Sequence, residues 1–149
     1  MFVVDTNILV HAADSDSPYF RPCRDAIERW RKGSTSWFIT WGICFEFLRL
    51  VTHREVLHQP QTLGTAWAWL DALLESPTLA VLTPSSRYRR VAAEVFSEYP
   101  MLSGNVMHDL ETVILMREHG VSTICTRDRG FRRFKFLKAI DPVDEGPMI

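Results

Sequence analysis

Residues 109–128, DLETVILMREHGVSTICTRD, decide the fold. After a loop around Ser103 to Asn105, a helix with Asp109 in its first turn runs to His119 and stops at Gly120, a residue suited to helix termination. Val121 to Thr126 then reads as a strand rich in β-branched residues. Ten residues of helix rise about 15 Å. Six residues of strand return about 17 Å. The lengths match, so Asp109 comes back beside Thr126 and Asp128.

The same alternation extends in both directions. Met1 to Val4 is a short apolar run that reads as a buried strand, stopped by the turn formers Asp5-Thr6-Asn7. Pro22 to Lys32 is helical, with Ala26, Ile27 and Trp30 on one face and Gly33 as its stop. A strand follows at Trp37 to Thr40, then a very apolar helix from about Ile43 to Thr52. A helix at Leu63 to Leu74 and a strand at Leu79 to Leu82 come next. Ser86 to Glu98 reads as an amphipathic helix carrying Val91, Val95 and Phe96, and Leu137 to Ile140 as a last strand. Strands alternating with helices imply an α/β domain, a central parallel sheet of four or five strands covered on both faces. Crossovers should be right-handed, and chemistry should lie at the carboxyl ends of the strands near a topological switch point.

A chain of 149 residues is the size of one domain, with a core to about residue 140 and a short tail over 141–149. It buries enough surface to fold without staples. Apolar residues at 46% and charged residues at 23% exclude a disordered or fibrous protein. The longest stretch free of Lys, Arg, Asp and Glu, Val56 to Leu70, is too short and polar to span a bilayer. Only four residues precede Asp5, which leaves no room for a signal-peptide apolar region. The three cysteines (Cys23, Cys44, Cys125) are far apart in apolar contexts, so neither disulfides nor zinc are expected. The expected compartment is the cytoplasm, with no membrane partner.

Four acids stand at the places where chemistry belongs. Asp5 ends the first strand, where its plain role is a turn or helix N-cap. Glu46 is the only charged residue from Trp37 to Leu48. With Ile43 at zero on a helical wheel, Glu46 falls near −60° and Leu50 near −20°, so the carboxylate borders the buried stripe. A carboxylate there needs a partner or a metal. An ion pair with Arg49 or Arg54 is the plain alternative. Asp109 lies in the first turn of its helix, where the macrodipole alone would favour it. Asp128 follows the Val121–Thr126 strand and could merely cap a turn. Converging at one sheet end, four acids repel unless cations neutralise them, and all-oxygen ligation selects Mg²⁺ or Mn²⁺ over zinc.

Together these residues resemble the PIN-domain ribonucleases, and among them the VapC toxins of bacterial toxin–antitoxin pairs. The resemblance rests on Val4-Asp5-Thr6-Asn7-Ile8-Leu9, the isolated Glu46, Asp109 opening a helix that ends His119-Gly120-Val121, and Thr126-Arg127-Asp128-Arg129-Gly130-Phe131. It spans Met1 to about Ile140. It implies a three-layer α/β/α domain with a Mg²⁺ or Mn²⁺ site built by the catalytic acids Asp5, Glu46, Asp109 and Asp128, supported by Asn7 and Thr126. Its further implications are RNA as substrate, products with a 5′-phosphate and 3′-hydroxyl, a VapB-like antitoxin that wraps the toxin, and a homodimer. Many members carry a further acid two positions after the fourth; Gly130 stands there, which weakens the implication of a second metal ion.

The charge pattern is consistent with an RNA partner. With the four acids set aside, 17 basic residues face 14 acidic ones on the rest of the chain. Arg127 and Arg129 flank Asp128, and with Arg132 and Arg133 they would rim the site for a polyanion. A solvated face is the plain reading of that run. It is also the preferred reading for Arg87, Arg89 and Arg90, with Arg90 facing Glu94. His11, His53 and His108 are expected bystanders, and Trp67 and Trp69 core or oligomer-face residues. A groove for the antitoxin segment is expected near Trp41, Phe45 and Leu48. Other classes fit poorly: a receiver domain lacks its acidic pair and late Lys, and Asp5-Thr6-Asn7 lacks the second acid of a haloacid-dehalogenase-type phosphatase. All four acids are present, which disfavours a binding-only module. The nearest alternative is a PIN nuclease of RNA processing outside toxin–antitoxin systems.

Overall fold

The computed structural model describes residues 1–144; residues 145–149, most of the expected tail, lie outside the described residues. Five strands, β1 (Phe2–Val4), β2 (Trp37–Thr40), β3 (Leu79–Leu82), β4 (Thr123–Cys125) and β5 (Lys138–Ile140), form one sheet. All neighbours are parallel, in the order β3-β2-β1-β4-β5. The α-helices are α1 (Thr6–Ala13), α2 (Phe20–Lys32), α3 (Trp41–Val51), α4 (Leu63–Leu74), α5 (Tyr88–Glu98) and α6 (Val106–Glu118), with a 3₁₀ turn at Arg129–Arg133.

Strand order explains the layers. The chain steps from β1 outward through β2 to β3, then returns across the sheet to β4. Right-handed crossovers in opposite directions place their helices on opposite faces. The packing agrees, since α1 sits against α2 and α3, α3 against α4, and α5 against α6. The expected α/β sandwich is thus present. Its three central strands, β2, β1 and β4, are buried at almost every position (Val3, Val4, Trp37, Ile39 and Ile124 among them), as a sheet covered twice requires. The switch point lies between β1 and β4, where the Asp5 N–H reaches the Cys125 carbonyl at 3.0 Å. No helix of the described residues is long and apolar enough to cross a membrane.

Two local readings are corrected. Asp5-Thr6-Asn7 does not only stop β1: Asp5 is a helix N-cap, one of the two plain roles given to it, and the helix it starts, α1, is the unexpected element. Ile8, Leu9 and Ala12 then bury one face of that helix. Phe96, expected in the core, is 50% exposed, since it sits about 140° around α5 from Val91. The stop at Gly120 is as expected. Gly120 takes φ +69°, its N–H meets the Arg117 carbonyl at 3.3 Å, and the Val121 N–H meets Met116 at 2.8 Å. That closure consumes Val121, so β4 is shorter than the apolar run suggests. The three cysteines are buried, and none of them forms a disulfide.

Candidate active site

Each expected acid arrives at the carboxyl edge of the sheet on its own element. Asp5 follows β1, Glu46 lies within α3, Asp109 is in the first turn of α6, and Asp128 caps the 3₁₀ turn after β4.

Asp5 is the best held. It is the N-cap of α1 and only 8% exposed. Its Oδ1 accepts the Thr6 N–H at 2.8 Å, and its Oδ2 accepts the Thr126 hydroxyl at 2.6 Å and the Asn7 amide at 2.7 Å. Thr126 Oγ1 in turn accepts the Asn7 amide at 3.0 Å and the Asp128 N–H at 2.9 Å. One buried threonine therefore joins two site acids. A carboxylate offers about four lone-pair positions, so three donors leave Asp5 one for a cation. Burial pushes its pKa up to about 7, with the Thr126 and Thr6 hydrogen bonds opposing and the charges of Asp109 and Asp128 adding to the rise.

Asp109 and Glu46 are held loosely. Burial first, then the charges of Asp128 and Glu46, raise Asp109 to about 6, opposed by Arg133 and His108. No side-chain hydrogen bond among the described residues fixes it. Glu46 Oε2 lies 3.4 Å from the Thr6 hydroxyl, and its Oε1 lies 3.5 Å from Arg49. The plain ion pair exists, but an i,i+3 pair this exposed adds little. Asp128 Oδ1 accepts the Gly130 N–H at 2.7 Å, and a side chain at position 130 would begin 3.0 Å from that oxygen. Gly130 leaves room where a fifth acid would crowd the fourth.

Asp5 feels the charges of Asp109 and Asp128, and Asp109 those of Asp128 and Glu46. Even so, among the described residues no three acidic, histidine or cysteine side chains stand close enough to hold an ion. The donor chemistry fits a hard divalent cation: carboxylate oxygens, two of them with raised pKa values that a cation would bring down.

The arginines separate into kinds. Arg129 and Arg132 are exposed and line a cavity of about 230 Å³ with Thr126 and Asp128. Arg133 folds back, its Nε donating to the Gly130 carbonyl at 2.8 Å, and its charge acts on Asp109. The Arg127 guanidinium points inward to Asp141, 2.9 Å away. Arg90 meets Glu94 at 3.8 Å, the expected surface pairing. His11 bonds Ser17, and Trp69 stacks on Phe47 with ring centroids 5.0 Å apart. The sequence reading missed Thr6, Asp141 and Glu111. Glu111 shares a hollow with Glu46, Gly42 and His108. Its Oε2 lies 2.8 Å from where a Cβ on Gly42 would stand. A glycine facing an acid across two helices leaves no mark in a single sequence.

The model of the PIN domain family matches residues 2–137, which hold all four acids. The chain belongs to the PIN-domain family. Two relatives of this PIN domain, both from Mycobacterium tuberculosis, are Ribonuclease VapC48, 31% identical over 142 residues, and Ribonuclease VapC43, 30% identical over 148. The alignments cover 93% of this chain and 94% of VapC48, and 97% of this chain and 97% of VapC43. The resemblance to VapC proteins is borne out. Solved structures with the same fold include VapBC2 from Rickettsia felis bound to a promoter DNA fragment (TM-score 0.65, 19% identity, 94% of this chain and 97% of that one). Another is VapC20 of Mycobacterium tuberculosis, a toxin that cleaves the sarcin–ricin loop (TM-score 0.64, 14% identity, 89% and 94%).

Proposed function

We propose that this PIN domain is a metal-dependent ribonuclease toxin that hydrolyses RNA phosphodiester bonds in the cytoplasm and is neutralised by a VapB-like antitoxin. One observation carries the reading. Asp5, buried at the switch point with its pKa raised to about 7, is held by Thr6, Asn7 and Thr126 within the field of Asp109 and Asp128. Such an acid is unfavourable in an empty site and favourable beside a cation. The VapC names of its relatives support RNA as substrate and favour the toxin over a processing nuclease.

Asp5, Asp109 and Asp128 would hold Mg²⁺ or Mn²⁺, with Glu46 closing the set from α3. The ion supplies an activated water and neutralises charge on the scissile phosphate. The chain's residues do the rest. Thr126 and Asn7 orient Asp5, Thr126 also fixes the turn that carries Asp128, and Arg129 and Arg132 draw in the polyanion at the rim. With water as nucleophile, the products carry a 5′-phosphate and a 3′-hydroxyl. An antitoxin arginine suits the same acids, since its planar fork meets carboxylates bidentately. Trp41 and Phe45, 45% and 69% exposed on α3, offer a face for that partner or for a second copy in a homodimer.

The test is cleavage of an RNA oligonucleotide. The protein should cut with Mg²⁺ or Mn²⁺ and stop in EDTA, and Asp128→Asn should lose at least about a hundredfold in rate. Undiminished cutting by Asp128→Asn would remove the assignment.

A further inference from the structure

Arg127 stands between Thr126, which joins two site acids, and Asp128, which is one of them. Its main chain and side chain both bind inward. The N–H donates to Asn7 Oδ1 at 3.2 Å. The guanidinium lies 2.9 Å from each Asp141 oxygen, and its central carbon lies 3.8 Å over the Tyr19 ring. Both charged side chains are about four-fifths covered, at 20% and 19% exposure. Asp141 also accepts the Val143 N–H at 2.9 Å, and Tyr19 packs edge-on against His11 of α1. Arg129 and Arg132 have no ion pair among the described residues.

We infer that Arg127 is a positioning residue: its guanidinium ties the segment after β5 and the α1–α2 connection to the Thr126–Asp128 turn, and so holds Asp128 and Thr126 in register with Asp5. The inference rests on the carboxylate-site reading above. A largely covered, doubly engaged guanidinium is suited to this, because a charge-assisted pair and a cation–π contact both resist displacement. Lysine cannot imitate it, having neither the planar fork nor the stacking face. Removing one partner strands the other's charge, so either loss should loosen the same turn.

The experiment compares Arg127→Ala, Arg127→Lys, Asp141→Asn and Arg129→Ala by Mn²⁺ calorimetry without RNA and by steady-state cleavage of an RNA oligonucleotide at several salt concentrations. Arg127→Ala and Asp141→Asn should each weaken Mn²⁺ binding and lower kcat by roughly 10–100-fold, with KM and its salt dependence unchanged. The pair combined should lose little more than either alone. Arg127→Lys should not restore kcat. Arg129→Ala should instead raise KM and flatten the salt dependence. If Arg127→Ala does not fold, Asp141→Asn and Tyr19→Leu, each removing one arm of the clamp, take its place. A raised KM with normal kcat and Mn²⁺ affinity would make Arg127 an RNA contact and overturn the clamp, as would wild-type behaviour of all clamp variants. A wild-type protein that binds no Mn²⁺ and cuts no RNA would overturn the underlying reading as well.

Discussion

The β1–β4 edge and the α3–α6 mouth each contribute two acids, and they hold them differently. At the edge, Asp5 takes three hydrogen bonds of 2.6–2.8 Å, and Asp128 is tied through Thr126 and Gly130. At the mouth, the Glu46 contacts are 3.4 and 3.5 Å, and Asp109 is held by the helix alone. The edge acids hang on main chain that the sheet fixes, whereas the mouth acids hang on helices that side chains can adjust. On the proposed function, the fold prepares half the site and the cation gathers the other half. That division accounts for the absence of a ready-made three-ligand group among the described residues.

The largest expected effect comes from attacking the prepared half. Asp5→Asn should reduce RNA cleavage by at least about a thousandfold, the scale on which groups central to transition-state charge act. Thr126→Val, which leaves every acid in place, should still reduce it by roughly 10–100-fold, as loss of a supporting contact does. Equal activity for wild type and Thr126→Val would erase the distinction between the two halves.

Stability should separate them next. Asp5 and Asp109 have pKa values of about 7 and 6 against an ordinary 3.8. Between those limits the folded protein holds protons that the unfolded chain has released, so stability falls as pH rises. The metal-free protein should therefore melt lower at pH 8 than at pH 5, by roughly 8–16 °C for about 4 kcal/mol. Mn²⁺ at pH 8 should restore much of that difference. Asp5→Asn should flatten the pH dependence more than Glu46→Gln, which acts on it only by removing a charge that raises Asp109. A metal-free melting temperature that rises from pH 5 to pH 8 would contradict the burial argument.

The smallest effect concerns the rim. Arg129→Ala and Arg132→Ala should each lower the salt slope of RNA binding by up to about one, with little change in melting temperature. Unchanged slopes would return them to a solvated face.

Much of this was legible in the sequence, for physical reasons. The match between the Asp109–His119 helix and the strand after Gly120 placed Asp109 near Asp128, because helix and strand rises are fixed by geometry. Glu46 stood out because an acid bordering an apolar stripe needs a reason. Helix α1 was hidden, since Asp-Thr-Asn serves turns and helix caps alike. The inward course of Arg127 was hidden too. A run of arginines looks uniform until Asp141 and Tyr19 are brought to one of them by the fold, and in the sequence position 141 reads as tail.

The most direct measurement is anomalous scattering from a crystal of the wild-type protein soaked in Mn²⁺. The account predicts a peak bounded by Asp5, Asp109 and Asp128, with Glu46 turned toward it, and no such peak in Asp5→Asn. A well-ordered site with no Mn²⁺ peak, or a peak held by other residues while RNA is still cut, would contradict it.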